Sequence, residues 1–229
     1  MASSDAARAQ FDRRADAYAA SVSHARGEDL DIVAAYAAPE AGTRALDLAT
    51  GPGNTAARIA PDVATMVAAD VAPRMVARAQ ALFAERGLRN AVAVVAEADR
   101  LPFADGAFDL VLCHIAPHHF ADVELAVREV ARVLAPGGAF VLEDTCSPED
   151  PELDGFVDRV ERLRDPTHVH ALSKSEWRAA LAAAGLRVAR SETWRKRHDI
   201  ADWLARADSD GDTPVAWTDD KVIARAEKP

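Results

Sequence analysis

The chain has 229 residues, a formal net charge of −10, and 49% hydrophobic against 28% charged residues, the balance of one ordinary globular domain with a sizeable core. Its acidity excludes an extended nucleic-acid surface, which needs clustered Lys and Arg, and Arg195-Lys196-Arg197 is only one short basic cluster. No run approaches the roughly 20 apolar residues of a membrane helix, the first residues lack the order of a signal peptide, and Cys113 and Cys146 sit in apolar stretches as buried free thiols, so a cytoplasmic protein with no membrane insertion is expected.

Helix is predicted from Asp5 to Ala38, with a break near Ser21 to Gly27, because Leu30, Val33, Ala34 and Ala37 share one helical face. Arg44 to Ala49 then reads as a short apolar strand, followed by the turn Thr50-Gly51-Pro52-Gly53 and a helix capped by Asn54 and ended by Pro61. Ala64 to Asp70 is a second strand, and Pro73 opens a helix that stops at Arg86-Gly87. Ala91 to Ala96 and Phe108 to His114 follow as strands, then a helix from Asp122 to Leu134 stopped by Pro136-Gly137-Gly138, then a fifth strand from Ala139 to Asp144. Strands alternating with helices at this spacing imply parallel βαβ units in a doubly wound α/β sheet. Beyond Cys146 come a helix over about Leu153 to Leu163 and a helix opened by the capping box Ser173-Lys174-Ser175-Glu176. Leu186 to Trp194 and Trp217 to Ala226 read as a final antiparallel pair.

The segment Ala45 to Asn54 carries the most chemistry. A strand, a glycine turn and a helix start bring a ligand against bare backbone, and Gly51 and Gly53 lack the Cβ that would keep it away. Asp70 stands 19 residues after Gly51, where a carboxylate accepts both hydroxyls of a ribose. Each acid also has a plain structural role open to it, Asp47 as a cap of the loop and Asp70 as a helix cap before Pro73. Gly51-Pro52-Gly53-Asn54-Thr55-Ala56 satisfies a dinucleotide fingerprint too, but a pyrophosphate does not explain Asp47.

The stretch Asp47-Leu48-Ala49-Thr50-Gly51-Pro52-Gly53 resembles the first motif of class I S-adenosylmethionine-dependent methyltransferases, with Ala49 in place of the first glycine. Glu97-Ala98-Asp99-Arg100-Leu101-Pro102-Phe103, Phe108-Asp109-Leu110-Val111 and Glu129 to Gly138 resemble later segments of the same family, in its ubiquinone/menaquinone-type small-molecule branch. The resemblance implies a Rossmann-like, mostly parallel seven-stranded sheet with an antiparallel last strand. It implies one domain, with lid helices in 1–38, a cofactor core in 43–145, and substrate-side helices and final strands in 146–229. It implies S-adenosyl-L-methionine as cofactor, held by Asp47, Ala49, Thr50, Gly51 and Gly53, then by Asp70, Val71 and Met75. Glu97, Ala98, Asp99, His114 and Tyr18 complete that set, and Ser21 and His24 fall where the lid turns over the methionine end.

The acceptor implied is a small molecule methylated on O, N or C. Its pocket belongs outside the carboxyl end of the fourth strand, at Cys113-His114-Ile115-Ala116-Pro117-His118-His119-Phe120. Three histidines in six residues have no carboxylate or thiolate at ligand spacing in the sequence, so no metal is expected. His119, His118 and His168 are the candidate general bases; packing is the competing role for His118 and His119, a surface turn position that for His168, and His170 reads as a surface residue. Trp177 and Leu181 have core spacing. Two other functions stand beside this reading. An NAD-dependent oxidoreductase lacks a Tyr-x-x-x-Lys pair here, and a non-catalytic S-adenosylmethionine-binding protein would need no catalytic side chain.

Overall fold

The computed structural model describes residues 4–20, 28–198 and 217–229. Its strands are β1 (Arg44–Leu48), β2 (Thr65–Asp70), β3 (Ala91–Val95), β4 (Phe108–His114), β5 (Leu134–Cys146), β6 (Arg187–His198) and β7 (Trp217–Glu227). Among the described residues these seven form one sheet in the order β3-β2-β1-β4-β5-β7-β6. The first five pair in parallel, and β7 runs antiparallel to both β5 and β6. The helices are α1 (Ser4–Ala20), α2 (Glu28–Ala37), α3 (Asn54–Ile59), α4 (Pro73–Glu85), α5 (Val123–Val133), α6 (Pro151–Arg164) and α7 (Lys174–Ala183). The break expected at Ser21 to Gly27 lies outside the described residues.

Side chains alternate across a strand, so each strand feeds two cores. Leu46, Leu48, Val111, Cys113, Phe140 and Leu142 pack with Val127 and Val130 of α5 and with Trp177 and Leu181 of α7. Ala45, Leu110, Leu112 and Val141 face the other way, onto Val33 and Tyr36 of α2 and Ala79 and Phe83 of α4. Both cysteines are buried free thiols. This alternation matters at the carboxyl ends of the strands, where it decides which polar group faces which side.

Several boundaries depart from the sequence expectation. Asn54 is the first residue of α3 and not its cap; the cap position is Gly53, in the left-handed region at φ 90°. Pro61 lies inside a 3-10 turn, Ala60–Asp62, which carries the chain past α3 before it stops. Asp122 caps α5 by accepting from the Leu125 N–H. The helix then passes directly into β5 at Leu134, ahead of Pro136-Gly137-Gly138. Gly138 explains how the sheet tolerates this: a Cβ there would lie 2.9 Å from the Ala135 carbonyl oxygen and 3.0 Å from that of Asp109. No helix among the described residues is long and apolar enough to cross a membrane.

Candidate functional site

A large pocket opens outside the carboxyl ends of β1, β2 and β4, and its wall continues through the Pro117–His119 turn to the end of α6. The glycine turn forms its floor. Ala49 and Gly51 both take left-handed backbone, at φ 53° and 54°. A Cβ built on Gly51 meets nothing within 4 Å, so this glycine leaves open space beside the chain. Gly53 does a different job: its Cβ would fall 2.8 Å from the Ala79 Cβ and 3.1 Å from the Phe83 ring. That glycine lets α3 sit tightly against α4.

Two buried acids lock this turn. Asp47 Oδ2 accepts from the Thr50 hydroxyl at 2.5 Å and from the Ala56 N–H at 3.0 Å. Asp70 accepts from the Gly51 N–H at 2.8 Å and from the Ala72 N–H at 2.9 Å. Asp47 thus fills the loop-capping role open to it, whereas Asp70 is not the cap of α4: Ala72 stands at that position, and Asp70 accepts from its N–H. Both carboxylates also line the pocket, so each retains a face toward a ligand. Burial pushes Asp47 up to about 7 and Asp70 up to about 6, against which their hydrogen bonds pull only partly.

The other residues expected to hold a cofactor gather here as well. Thr50, Val71, Met75, Glu97, Ala98, Asp99 and His114 line the same pocket. Arg132 pins the Leu101–Phe103 loop beside them, donating to the carbonyl oxygens of Leu101 and Phe103, and Glu129 accepts from the Leu101 N–H. The family-like Glu129 to Arg132 segment thus acts as a staple for this wall. Tyr18 lies on α1, and its side chain falls outside the described residues, as do Ser21 and His24. Phe11 and Ala15 of α1 pack on Ala72 and Met75, while Asp12 accepts from the Arg74 backbone N–H and Asp16 pairs with Arg74 and Arg78.

The histidines converge at the far end of the pocket. Ile115, a β-branched residue at φ 50°, turns the chain sharply out of β4. The His118 N–H and its Nδ1 then both meet the carboxylate of Asp144, at 2.9 and 2.6 Å. Burial would push the Asp144 carboxyl up, but His118 and the nearby Lys221 outweigh it and hold the group below its usual value. Rings of His119 and His168 stand 4.1 and 5.7 Å from that of His118. Burial, reinforced by His118, depresses His119 to about 3 and His168 to about 4, so both are neutral rings. His119 Nδ1 lies 3.2 Å from the Thr167 carbonyl oxygen, and its ring meets Phe11 edge-on. His168 is buried, and His170 is half-buried between Asp158 and Glu176 and not a plain surface residue. Asp165 accepts from Thr167 at 2.6 Å and from Gln10 of α1 at 2.8 Å, which closes the wall.

Sequence reasoning missed three carboxylates. In the sequence Asp144 stands only at the end of a strand, because its partner His118 is 26 residues away. Asp29 and Glu143 flank His114 from α2 and β5, and no short spacing announces them.

Residues 46–142 match the family model described as a methyltransferase domain. An uncharacterized methyltransferase of Bacillus subtilis (strain 168), YcgJ, is 40% identical over 205 residues, spanning 90% of this chain and 79% of that protein. The crystal structure of YcgJ superposes with a TM-score of 0.84 at 33% identity, covering 88% of this chain and 98% of that one. A demethylmenaquinone methyltransferase of Thermus thermophilus is 47% identical over 102 residues, 43% of this chain and 46% of the relative.

Proposed function

The chain belongs to the S-adenosylmethionine-dependent methyltransferases, and on that footing we propose that it transfers a methyl group to a small molecule seated among His118, His119 and Phe120. The observation that carries this reading is the glycine cradle. Open space above Gly51, bordered by the Asp70 carboxylate, fits an adenosine whose ribose hydroxyls donate to Asp70. Asp47, Ala49, Thr50 and His114 surround the position of the methionine end, and Glu97, Ala98 and Asp99 that of the adenine.

When bound, S-adenosylmethionine supplies a methyl already activated on a sulfonium. The residues of the chain have to align the acceptor, exclude water and take up a proton where the acceptor carries one. His118 is the proton acceptor that the geometry favours. Asp144 is ionised, so the 2.6 Å contact holds the ring proton on Nδ1 and leaves Nε2 as the basic atom. The carboxylate also compensates the charge that the ring gains. His119 and His168, held neutral by burial, are weaker bases and serve as walls. Calorimetry with S-adenosylhomocysteine and NAD tests the cofactor; tight binding of the first and negligible binding of the second is expected. Equal or tighter binding of NAD overturns the reading. Transfer of labelled methyl to a panel of small-molecule acids, phenols and amines then identifies the acceptor class.

A further inference from the structure

Behind the pocket, on the α2 side of the sheet, the fold assembles three ligand-type side chains that the sequence keeps far apart. His114 and Glu143 are register partners on the parallel strands β4 and β5, and alternation turns both toward α2. Asp29, in the first turn of α2, comes down onto them. One oxygen of each carboxylate and a His114 nitrogen lie within 4.8 Å of one another. His114 Nε2 is 3.6 Å from Asp29 Oδ2 and 3.8 Å from Glu143 Oε2.

These distances are too long for hydrogen bonds. They are close to the edge of a tetrahedron around a zinc ion, which at bond lengths near 2.0–2.2 Å is about 3.3–3.6 Å. The His114 side chain is only 8% exposed, and its Nε2 has no hydrogen-bond partner while pointing between the two acids. Its other nitrogen is 3.1 Å from the Thr55 hydroxyl. A ring with Nδ1 engaged and Nε2 aimed at two carboxylates is the posture of a metal-ligating histidine with its supporting contact in place.

We propose that Asp29, His114 and Glu143 bind a divalent ion of the zinc class, one nitrogen and two oxygen donors from the protein with a water completing the tetrahedron. The mixed imidazole and carboxylate set favours such an ion over magnesium or calcium, which take oxygen ligands. Metal on Nε2 places the ring proton on Nδ1, which then donates to Thr55 at the start of α3. The ion fastens α2 to the ends of β4 and β5 and sets the orientation of His114 where that ring borders the cofactor pocket. This site stands on its own contacts and does not depend on the methyl-transfer reading.

Untagged full-length protein, stripped with a chelator, is titrated with Zn2+ by calorimetry and with Co2+ by visible absorption. One ion per chain, a rise in melting temperature, and the intense ligand-field bands of four-coordinate Co2+ are expected. Glu143→Gln and Asp29→Asn should each weaken Zn2+ binding by about 100-fold or more, since even outer-shell partners are worth 10–100-fold. Wild-type protein without a 1:1 site, or with Co2+ bands only of the weak octahedral type, overturns the proposal without any variant. Unchanged affinity in both variants also overturns it, by placing the ion elsewhere on the chain.

Discussion

At the scale of single residues, the two acids of the glycine turn carry the clearest chemistry. Asp70 holds the turn and faces the pocket at once, so Asp70→Ala would strand two backbone donors as well as any ribose contact. Asp70→Asn separates these roles better, because its amide oxygen still accepts one N–H. Affinity for S-adenosylhomocysteine should fall by about 1.5–3 kcal/mol per charged hydrogen bond lost, measured by calorimetry, while melting temperature falls little. The raised values of Asp47 and Asp70, about 7 and about 6, predict a pH dependence with a definite sign. A carboxyl raised above its unfolded value favours the folded state at low pH. That contribution is complete below about 4 and is lost as pH climbs through 6 to 7, so the ligand-free protein should lose stability across this window. Ligand affinity should move oppositely, rising from pH 5 to 8 as both acids ionise and can accept hydroxyl protons. Flat affinity over that range would mean that neither acid contacts the ligand. Among the histidines, His118→Ala should slow turnover by roughly 10²–10⁴ if the acceptor must lose a proton. His119→Ala should instead lower stability by about 1–3 kcal/mol and keep turnover per folded molecule. Rates and melting temperatures of the two variants, measured with the identified acceptor, distinguish a base from a wall.

Among the elements, the strand–turn–helix unit from β1 to α3 is the most constrained. Gly53→Ala puts a methyl 2.8 Å from the Ala79 Cβ at a φ of 90°, which combines overpacking with backbone strain. A loss of about 2–4 kcal/mol by chemical denaturation is expected, with Ala79→Gly as a second change that recovers part of it. Gly51→Ala carries the strain without the clash, since its Cβ points into open space, and its effect should appear chiefly in ligand affinity. This unit was legible in the sequence because each of its signals is local: a strand run, two glycines and an acid 19 residues on. β4 and the capping box of α7 were legible for the same reason. The start of β5 was not, since Pro136-Gly137-Gly138 reads as a break, whereas here Gly138 lets the bent start of β5 crowd against its own Ala135 carbonyl and that of Asp109 in β4. The pairing of Asp144 with His118 and of Glu143 with His114 depends on which strand lies beside which, and that of Gln10 with Asp165 on where α1 docks against the end of α6. No spacing along the chain encodes that, so half of the histidine site was invisible until the sheet was assembled.

Across the whole molecule, α1 ties the two ends of the pocket together. Its Asp12 accepts from the Arg74 backbone N–H and its Asp16 forms ion pairs with Arg74 and Arg78 beside the cradle, and its Gln10 and Phe11 reach Asp165 and His119 on the acceptor side. The ion pairs are exposed and worth little each, so about 1 M salt should loosen the first anchor while leaving the second. Release of S-adenosylhomocysteine, followed by stopped-flow, should therefore quicken with salt, and more so in Gln10→Ala. Binding should slow as well, because the chain is acidic at −10 and the methyl donor carries a sulfonium. β5 imposes a constraint of another kind. Its neighbours Glu143 and Asp144 point to opposite faces, one toward α2 and one toward the histidines, and each is fully buried. A single-residue insertion or deletion upstream in the strand would turn each acid to the opposite face, parting Asp144 from His118 and Glu143 from His114 and turning Val141 and Leu142 inside out. Both chambers would fail together from one codon. Inheritance of this strand is therefore all or nothing: point substitutions can tune either chamber alone, but the reading of the strand by length can change only in steps of two.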